Sequence, residues 1–220
     1  MYRKKLTAMD MQQMHVPDRY WKARYAEITE EGKSTTGKTA PRSVAKRFVD
    51  NILEFVENGT GLYLHGPNGR GKTCMAVVLL KEARRRGMTG LFVSAASLKR
   101  LVVSKTPFSE TETMYERALG VRFLVLDDLG KEVSDNVGFG ARVLDELIRH
   151  RMGHQMITVI TTNMTPDVLK AEADSSKGIV KVSTLHAMKE CMIPLELGGP
   201  DRRVENARAL RKLVEEINGN

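Results

Sequence analysis

Gly66-Pro67-Asn68-Gly69-Arg70-Gly71-Lys72-Thr73 satisfies every fixed position of the P-loop pattern, Gly-x-x-x-x-Gly-Lys-Ser/Thr. The apolar run Leu62–Leu64 stands just before it and the helix-length stretch Cys74–Arg86 just after it. A glycine-rich turn with a chance lysine lacks that strand–loop–helix context. The glycines let the backbone curl so that successive N–H groups face phosphate, and the start of the following helix adds its partial positive charge. Lys72 then reaches the β- and γ-phosphates, and the Thr73 hydroxyl ligates Mg²⁺. The expected nucleotide-binding set for ATP or ADP is therefore Gly66, Pro67, Asn68, Gly69, Arg70, Gly71, Lys72, Thr73 and Cys74.

Outward from this loop, short apolar runs alternate with helix-length stretches: Leu62–Leu64, Leu91–Val93, Phe123–Leu126, Ile157–Ile160 and Ile193–Leu197. Such alternation predicts an α/β fold with a mostly parallel sheet and helices on both faces. The third run continues into Asp127-Asp128, the Walker B arrangement of a buried strand ending in carboxylates at the ligand crevice. Asp127 is expected to hold Mg²⁺, directly or through its waters, and Asp128 to polarise the attacking water. The fourth run ends in Thr161-Thr162-Asn163, which places the Asn163 amide beside the γ-phosphate, the sensor 1 role.

With 220 residues, of which 41% are hydrophobic and 28% charged, the chain has the composition of one folded globular domain. Lysine and arginine total 35 against 27 acidic residues, giving +8, a surplus that suits a polyanionic partner. Cys74 and Cys191 are isolated, and His150, His154, His186 and Cys191 lack the spacing of a zinc site, so disulfide scaffolds and zinc chemistry are excluded. No apolar run approaches the ~20 residues of a membrane span, and the basic start is broken by Asp10, Gln12 and Gln13, so a cytoplasmic location with no membrane partner is expected.

Residues 1–40 are polar and close on Gly32, Ser34, Thr35, Thr36, Gly37 and Pro41, which reads as an N-terminal arm and linker outside the core; 41–220 reads as the ATPase domain. The arm's Val16-Pro17-Asp18-Arg19-Tyr20-Trp21 is expected to pack its aromatics on the main domain. From Arg42 to Asn58, Val44, Phe48, Val49, Ile52, Leu53 and Val56 recur at helical spacing.

The P-loop, Leu126-Asp127-Asp128-Leu129-Gly130-Lys131-Glu132 and Ile160-Thr161-Thr162-Asn163 together resemble the DnaC/DnaI/IstB group of AAA+ ATPases. Val16–Tyr20 and the ending Pro194-Leu195-Glu196-Leu197-Gly198-Gly199-Pro200-Asp201-Arg202-Arg203 look like the same group. The resemblance implies a five-stranded AAA+ core without a full C-terminal lid domain. It also implies ATP-dependent homo-oligomers and a grip on single-stranded DNA beside a replicative DnaB-type helicase. It places a DNA-facing element at Ala96–Lys105, where Lys99, Arg100 and Lys105 would neutralise phosphates; a solvated helix face is the competing reading. Arg203 matches the family's sensor 2 arginine, with Arg202 an adjacent alternative.

Two departures stand out. The family's trans-acting arginine finger lies in a Ser-Arg-Leu-like segment, whereas this chain has Ser183-Thr184-Leu185; Lys181, Arg149 and Arg151 are the basic residues considered in its place. The segment before Val16 carries no cysteine, so either a short helix such as Lys5–Gln13 grips the partner or the partner is not a helicase. The leading expectation is an ATP-hydrolysing helicase loader. Its alternatives are an IstB-like transposition helper ATPase and a non-hydrolysing, ATP-switched DNA-binding module.

Overall fold

The computed structural model describes residues 4–34, 37–98, 110–130, 139–175, 178–204, 207–208, 211 and 215. Among them the strands are β1 (Gly32–Ser34), β2 (Gly37–Thr39), β3 (Gly61–His65), β4 (Gly90–Ser94), β5 (Phe123–Leu129), β6 (Ile157–Thr162) and β7 (Met192–Leu197). They form one sheet in the order β2-β1-β7-β3-β6-β5-β4. Strands β7, β3, β6, β5 and β4 run parallel, which is the five-stranded sheet expected from the apolar runs. The sheet is nevertheless mixed and seven-stranded, because β1 pairs antiparallel with both β7 and β2. Gly32-Lys33-Ser34 and Gly37-Lys38-Thr39 contain no large apolar residue, so these strands exist through backbone pairing at the sheet edge and leave no hydrophobic signature.

The central strands are buried on both faces. One face, carrying Leu62, Leu64, Phe123, Val125, Val159 and Leu195, packs under the helices Pro41–Asp50 and Lys72–Arg85. The other, carrying Tyr63, Leu124, Leu126 and Ile160, packs under Glu110–Gly120, Phe139–Gly153 and Val182–Cys191. Alternation along each strand sends successive residues into these two cores, which is why the strands read as continuous apolar runs. The single helix expected over 42–58 is two, Pro41–Asp50 and Ile52–Glu57, broken where Asn51 leaves helical geometry at φ −109, ψ 24.

The arm does not lie outside the core. Met11, Met14, Val16, Ala23 and Ile28 are buried, and the segment straps the P-loop helix Lys72–Arg85 from the β4 edge to the β7 edge. At one end Phe92 N–H donates to the Met14 carbonyl (2.8 Å), so the arm covers the open edge of β4. Midway, Lys81 Nζ donates to the Trp21 and Ala23 carbonyls (2.7 and 2.9 Å), while Trp21 Nε1 donates to the Val16 carbonyl (2.8 Å). The short helix Ala8–Gln13 starts on a Thr7 capping box, and its buried Asp10 is bonded by Lys4 and Arg84. The stretch reads as linker from composition because its buried apolar residues are scattered among polar ones, and part of its anchoring comes from lysine and arginine reaching backbone carbonyls and one carboxylate.

Arg151 is fully buried. Its guanidinium donates to the carbonyls of Ala118, Val121 and Ile157 and to Thr158 Oγ1, at 2.7–2.8 Å. It ties the end of the Glu110–Gly120 helix to the start of β6. Burial lowers its pKa from the usual arginine value to about 9.

Candidate nucleotide-binding site

The site forms at the carboxyl ends of β3, β5 and β6. Strand β3 delivers the chain to Gly66, and Gly66, Gly69 and Gly71 all hold positive φ (127, 77 and 86), so the loop turns back on itself before the helix begins at Lys72. Gly69 has a second constraint: a Cβ there would stand 1.9 Å from Asp201 Oδ1. Lys72 is buried at the start of the helix, with Nζ donating to the Gly66 and Pro67 carbonyls (2.7 and 2.8 Å) and to Asn163 Oδ1 (2.9 Å). The ammonium group thus already sits between the loop and the end of β6.

Beside it, Thr73 Oγ1 donates to Asp127 Oδ1 at 2.9 Å. A hydroxyl and a buried carboxylate meeting at one point, next to a loop built for phosphate, form an oxygen donor set that suits a hard divalent cation. Asp127 is 5% exposed, whereas Asp128 is partly open and adopts the left-handed conformation, φ 59. Both residues line a cleft of about 730 Å³ whose other polar walls include Ser94, Ser97, His15 and Arg19. Lys72 thus meets Asn163, and Thr73 meets Asp127, whose neighbour Asp128 lies on the adjoining cleft.

Three residues to which the sequence reading gave no role also approach this site. Thr161 Oγ1 donates to Asp127 Oδ1 (2.6 Å) and accepts from Asp128 N–H (3.0 Å). Thr162 Oγ1 donates to the Leu129 carbonyl (2.7 Å) and accepts from Met164 N–H (3.0 Å). Glu27 of the arm lies with Oε2 3.5 Å from the Cys74 sulfur. The available signal was the polarity of Thr161 and Thr162 inside an otherwise apolar strand. Burial, with Glu27 adding to it and Arg202 opposing it, pushes the Cys74 thiol up to about 11, so Cys74 contributes as a neutral packed group.

The ending after β7 wraps the P-loop. Arg70 donates to the Gly199 carbonyl, and Arg202 N–H donates to the Gly69 carbonyl at 3.2 Å. The two arginines considered for sensor 2, Arg203 and its alternative Arg202, differ in placement. Arg202 is the arginine whose guanidinium approaches the loop, 3.5 Å from where a Cβ on Gly71 would lie, while Arg203 is exposed. The turn set by Asp201, whose carboxylate accepts Arg203 N–H at 2.9 Å, decides which of the adjacent arginines faces inward.

Lys99, Arg100 and Lys105 lie outside the described residues; the helical turn 95–98 that leads to them buries Leu98. At the place of the missing finger, Thr184 is fully buried, and it and Ser183 each donate to Asp145 Oδ1 at 2.8 Å, with Lys181 Nζ 3.5 Å from Oδ2. Of the basic residues considered there, Arg151 is removed by burial within its own chain, whereas Arg149 is exposed and Lys181 partly so. His65 is packed beside Tyr63, ring centroids 5.7 Å apart, and burial lowers its pKa. Among the described residues no group of three His, Cys, Asp or Glu side chains could hold a metal, and no helix is long and apolar enough to cross a membrane.

A family model described as "IstB-like ATP binding protein" matches residues 32–171. The replicative helicase loader DnaI of Bacillus subtilis (strain 168) is 25% identical over 150 residues, which take in 66% of this chain and 48% of the loader. The chain thus aligns with about half of that relative's length. Among solved structures, a DnaI crystal structure matches with TM-score 0.67 and 23% identity, covering 88% of this chain and 98% of the other. The crystal structure of the DnaC helicase loader matches with TM-score 0.64 and 27% identity, covering 83% of this chain and 100% of the other.

Proposed function

This chain belongs to the IstB-like ATP binding proteins, and on that premise we propose that it is a Mg²⁺-dependent AAA+ ATPase of DNA replication that loads or remodels a replicative DnaB-type helicase on single-stranded DNA. The observation that carries the enzymatic part is the meeting of Lys72 with Asn163 and of Thr73 with Asp127 at the ends of β3, β5 and β6, with Asp128 next to Asp127 on the adjoining cleft. Likeness to DnaI and to the DnaC helicase loader supports the replication part.

In this reading the loop from Gly66 to Cys74 presents its N–H groups to the phosphates, and Lys72 exchanges its bonds to Gly66, Pro67 and Asn163 for phosphate oxygens. Thr73 and Asp127 would hold Mg²⁺, which supplies charge neutralisation between the β- and γ-phosphates. Asp128 accepts hydrogen-bonding from the attacking water and takes its proton, and the Asn163 amide, released from Lys72, reads the γ-phosphate. Arg202, rather than Arg203, takes the sensor 2 position over the loop. Oligomerisation would bring Lys181 or Arg149 of a neighbouring copy to this site. Lys99, Arg100 and Lys105 are the proposed contacts to the DNA backbone, and a cytoplasmic location follows from the role.

Phosphate release with and without single-stranded DNA, fluorescence anisotropy of labelled oligonucleotides, and a pull-down from the native host test this together. Recovery of a replicative helicase and ATP-dependent preference for single strands are expected. Changing Lys99, Arg100 and Lys105 to alanine should flatten the salt dependence of DNA binding by up to about three units, since each neutralised phosphate releases counterions. Recovery of a transposase with double-strand preference would replace the loader by a transposition helper. ATP binding without any phosphate release would leave an ATP-switched DNA-binding module.

A further inference from the structure

Strands β5 and β6 fall out of step at the site. Leu126 pairs with Ile160 and Leu129 with Thr162, so Asp127 and Asp128 together oppose one residue, Thr161. This is a β-bulge, which locally re-aims the side chains of the strand that carries the extra residue. In a regular strand neighbouring side chains point to opposite faces, and one of two adjacent carboxylates would be sent away from the ligand. Here both residues line the same cleft, and Asp128 holds φ 59.

Thr161 sits at the centre of this irregularity and is fully buried. A threonine hydroxyl has one proton to donate and lone pairs to accept with, and both capacities are used. The proton goes to Asp127 Oδ1 at 2.6 Å, and a lone pair takes the Asp128 N–H at 3.0 Å. One oxygen therefore fixes the carboxylate of the first acid and the backbone of the second. Thr73 donates to the same Asp127 oxygen from the P-loop side at 2.9 Å, so Thr161 and Thr73 hold that carboxylate from β6 and from the P-loop helix.

We infer that Thr161 is a positioning residue, whose hydroxyl sets the two acidic groups of the site by clamping the β5 bulge. The inference rests on the ATPase reading above for its catalytic consequence, but its geometric consequence is independent of nucleotide. The Asp128 amide proton is satisfied by Thr161 Oγ1 and loses that acceptor without the hydroxyl.

The test compares Thr161→Val, which keeps the branched shape and removes the hydroxyl, with Thr161→Ser, which keeps the hydroxyl and removes a methyl. Amide exchange followed by NMR without nucleotide should show Asp128 protected in the wild type and in the serine variant, and exchanging at least about tenfold faster in the valine variant, the weight of one lost hydrogen bond. Titration with a fluorescent ATP analogue should show affinity in EDTA changed by less than about twofold in both variants. The gain in affinity on adding Mg²⁺ should fall about tenfold in Thr161→Val, because Asp127 loses a bond made to a charged acceptor. The kcat should fall with it, and the serine variant should retain both. Wild-type exchange and wild-type Mg²⁺ response in Thr161→Val would overturn the inference. So would a serine variant as impaired as the valine one, which would assign the effect to packing of the methyl group. If Thr161→Val does not fold, the serine variant decides, since its protection and Mg²⁺ response must both persist. A wild-type protein that fails to bind the analogue at all, while Lys72→Ala behaves identically, refutes the ATPase reading instead and leaves the exchange experiment standing.

Discussion

Asp128 separates chemistry from backbone geometry, because it lines the cleft while its φ of 59 lies where most residues are strained. A residue with a Cβ costs roughly 1–2 kcal/mol in the left-handed region, except that asparagine and aspartate visit it more readily and glycine does so freely. Three substitutions should therefore diverge. Asp128→Asn keeps the conformational preference and removes the carboxylate, so stability should stay within about 0.5 kcal/mol of wild type. ATP turnover should fall about 10²-fold or more, the usual contribution of a general base. Asp128→Gly should lose turnover equally with no loss of stability from strain. Asp128→Ala should lose turnover and about 1–2 kcal/mol, seen as a melting temperature lower by roughly 2–8 °C in a chain of this size. Urea unfolding and calorimetry read the stabilities, and phosphate release reads the turnover. An asparagine variant that hydrolyses ATP at the wild-type rate would refute the base assignment. Alanine and glycine variants of equal stability would refute the strained bulge.

Two further outcomes follow from particular contacts. Arg202→Ala should weaken binding of a fluorescent ATP analogue by about tenfold, as expected for a charge-assisted contact, whereas Arg203→Ala should change it by less than about twofold; the reverse order would restore the arginine expected from sequence. The second concerns pH. Lys4, the Thr7 amide and Arg84 hold the Asp10 carboxyl well below the usual carboxylate range, against the opposing effect of burial. A carboxyl with a depressed folded-state pKa stabilises fully above its unfolded value and loses that contribution as pH falls through the folded one. Asp10→Asn should then lower the melting temperature at pH 7 by about 2–10 °C, corresponding to ~1–3 kcal/mol, and the gap should narrow as pH drops below about 4. Melting curves with a constant gap down to pH 2.5, on the order of one unit below the unfolded carboxylate value, would dismiss the arm clamp as a source of stability.

The sequence by itself determined the parallel core and set the P-loop pattern and the acidic pair at the ends of its strands. A buried strand must be an apolar run when both its faces are covered, and a phosphate loop must place glycine, lysine and threonine at fixed spacing. Both constraints act along the chain, so they are legible in linear order. The tertiary structure decided everything that depends on partners distant in sequence. The Gly32–Thr39 hairpin exists because β7 offers an edge to pair with, and the arm lies on the P-loop helix because Lys81 and Arg84 reach back to Trp21, Ala23 and Asp10. Arg202 was chosen over its neighbour by the turn at Asp201, and Arg151 was withdrawn from the surface by carbonyls 30 residues away. Thr161 was given no role of its own by the sequence: its hydroxyl acquires one only where a one-residue bulge in a neighbouring strand brings the Asp127 carboxylate and the Asp128 N–H to meet it.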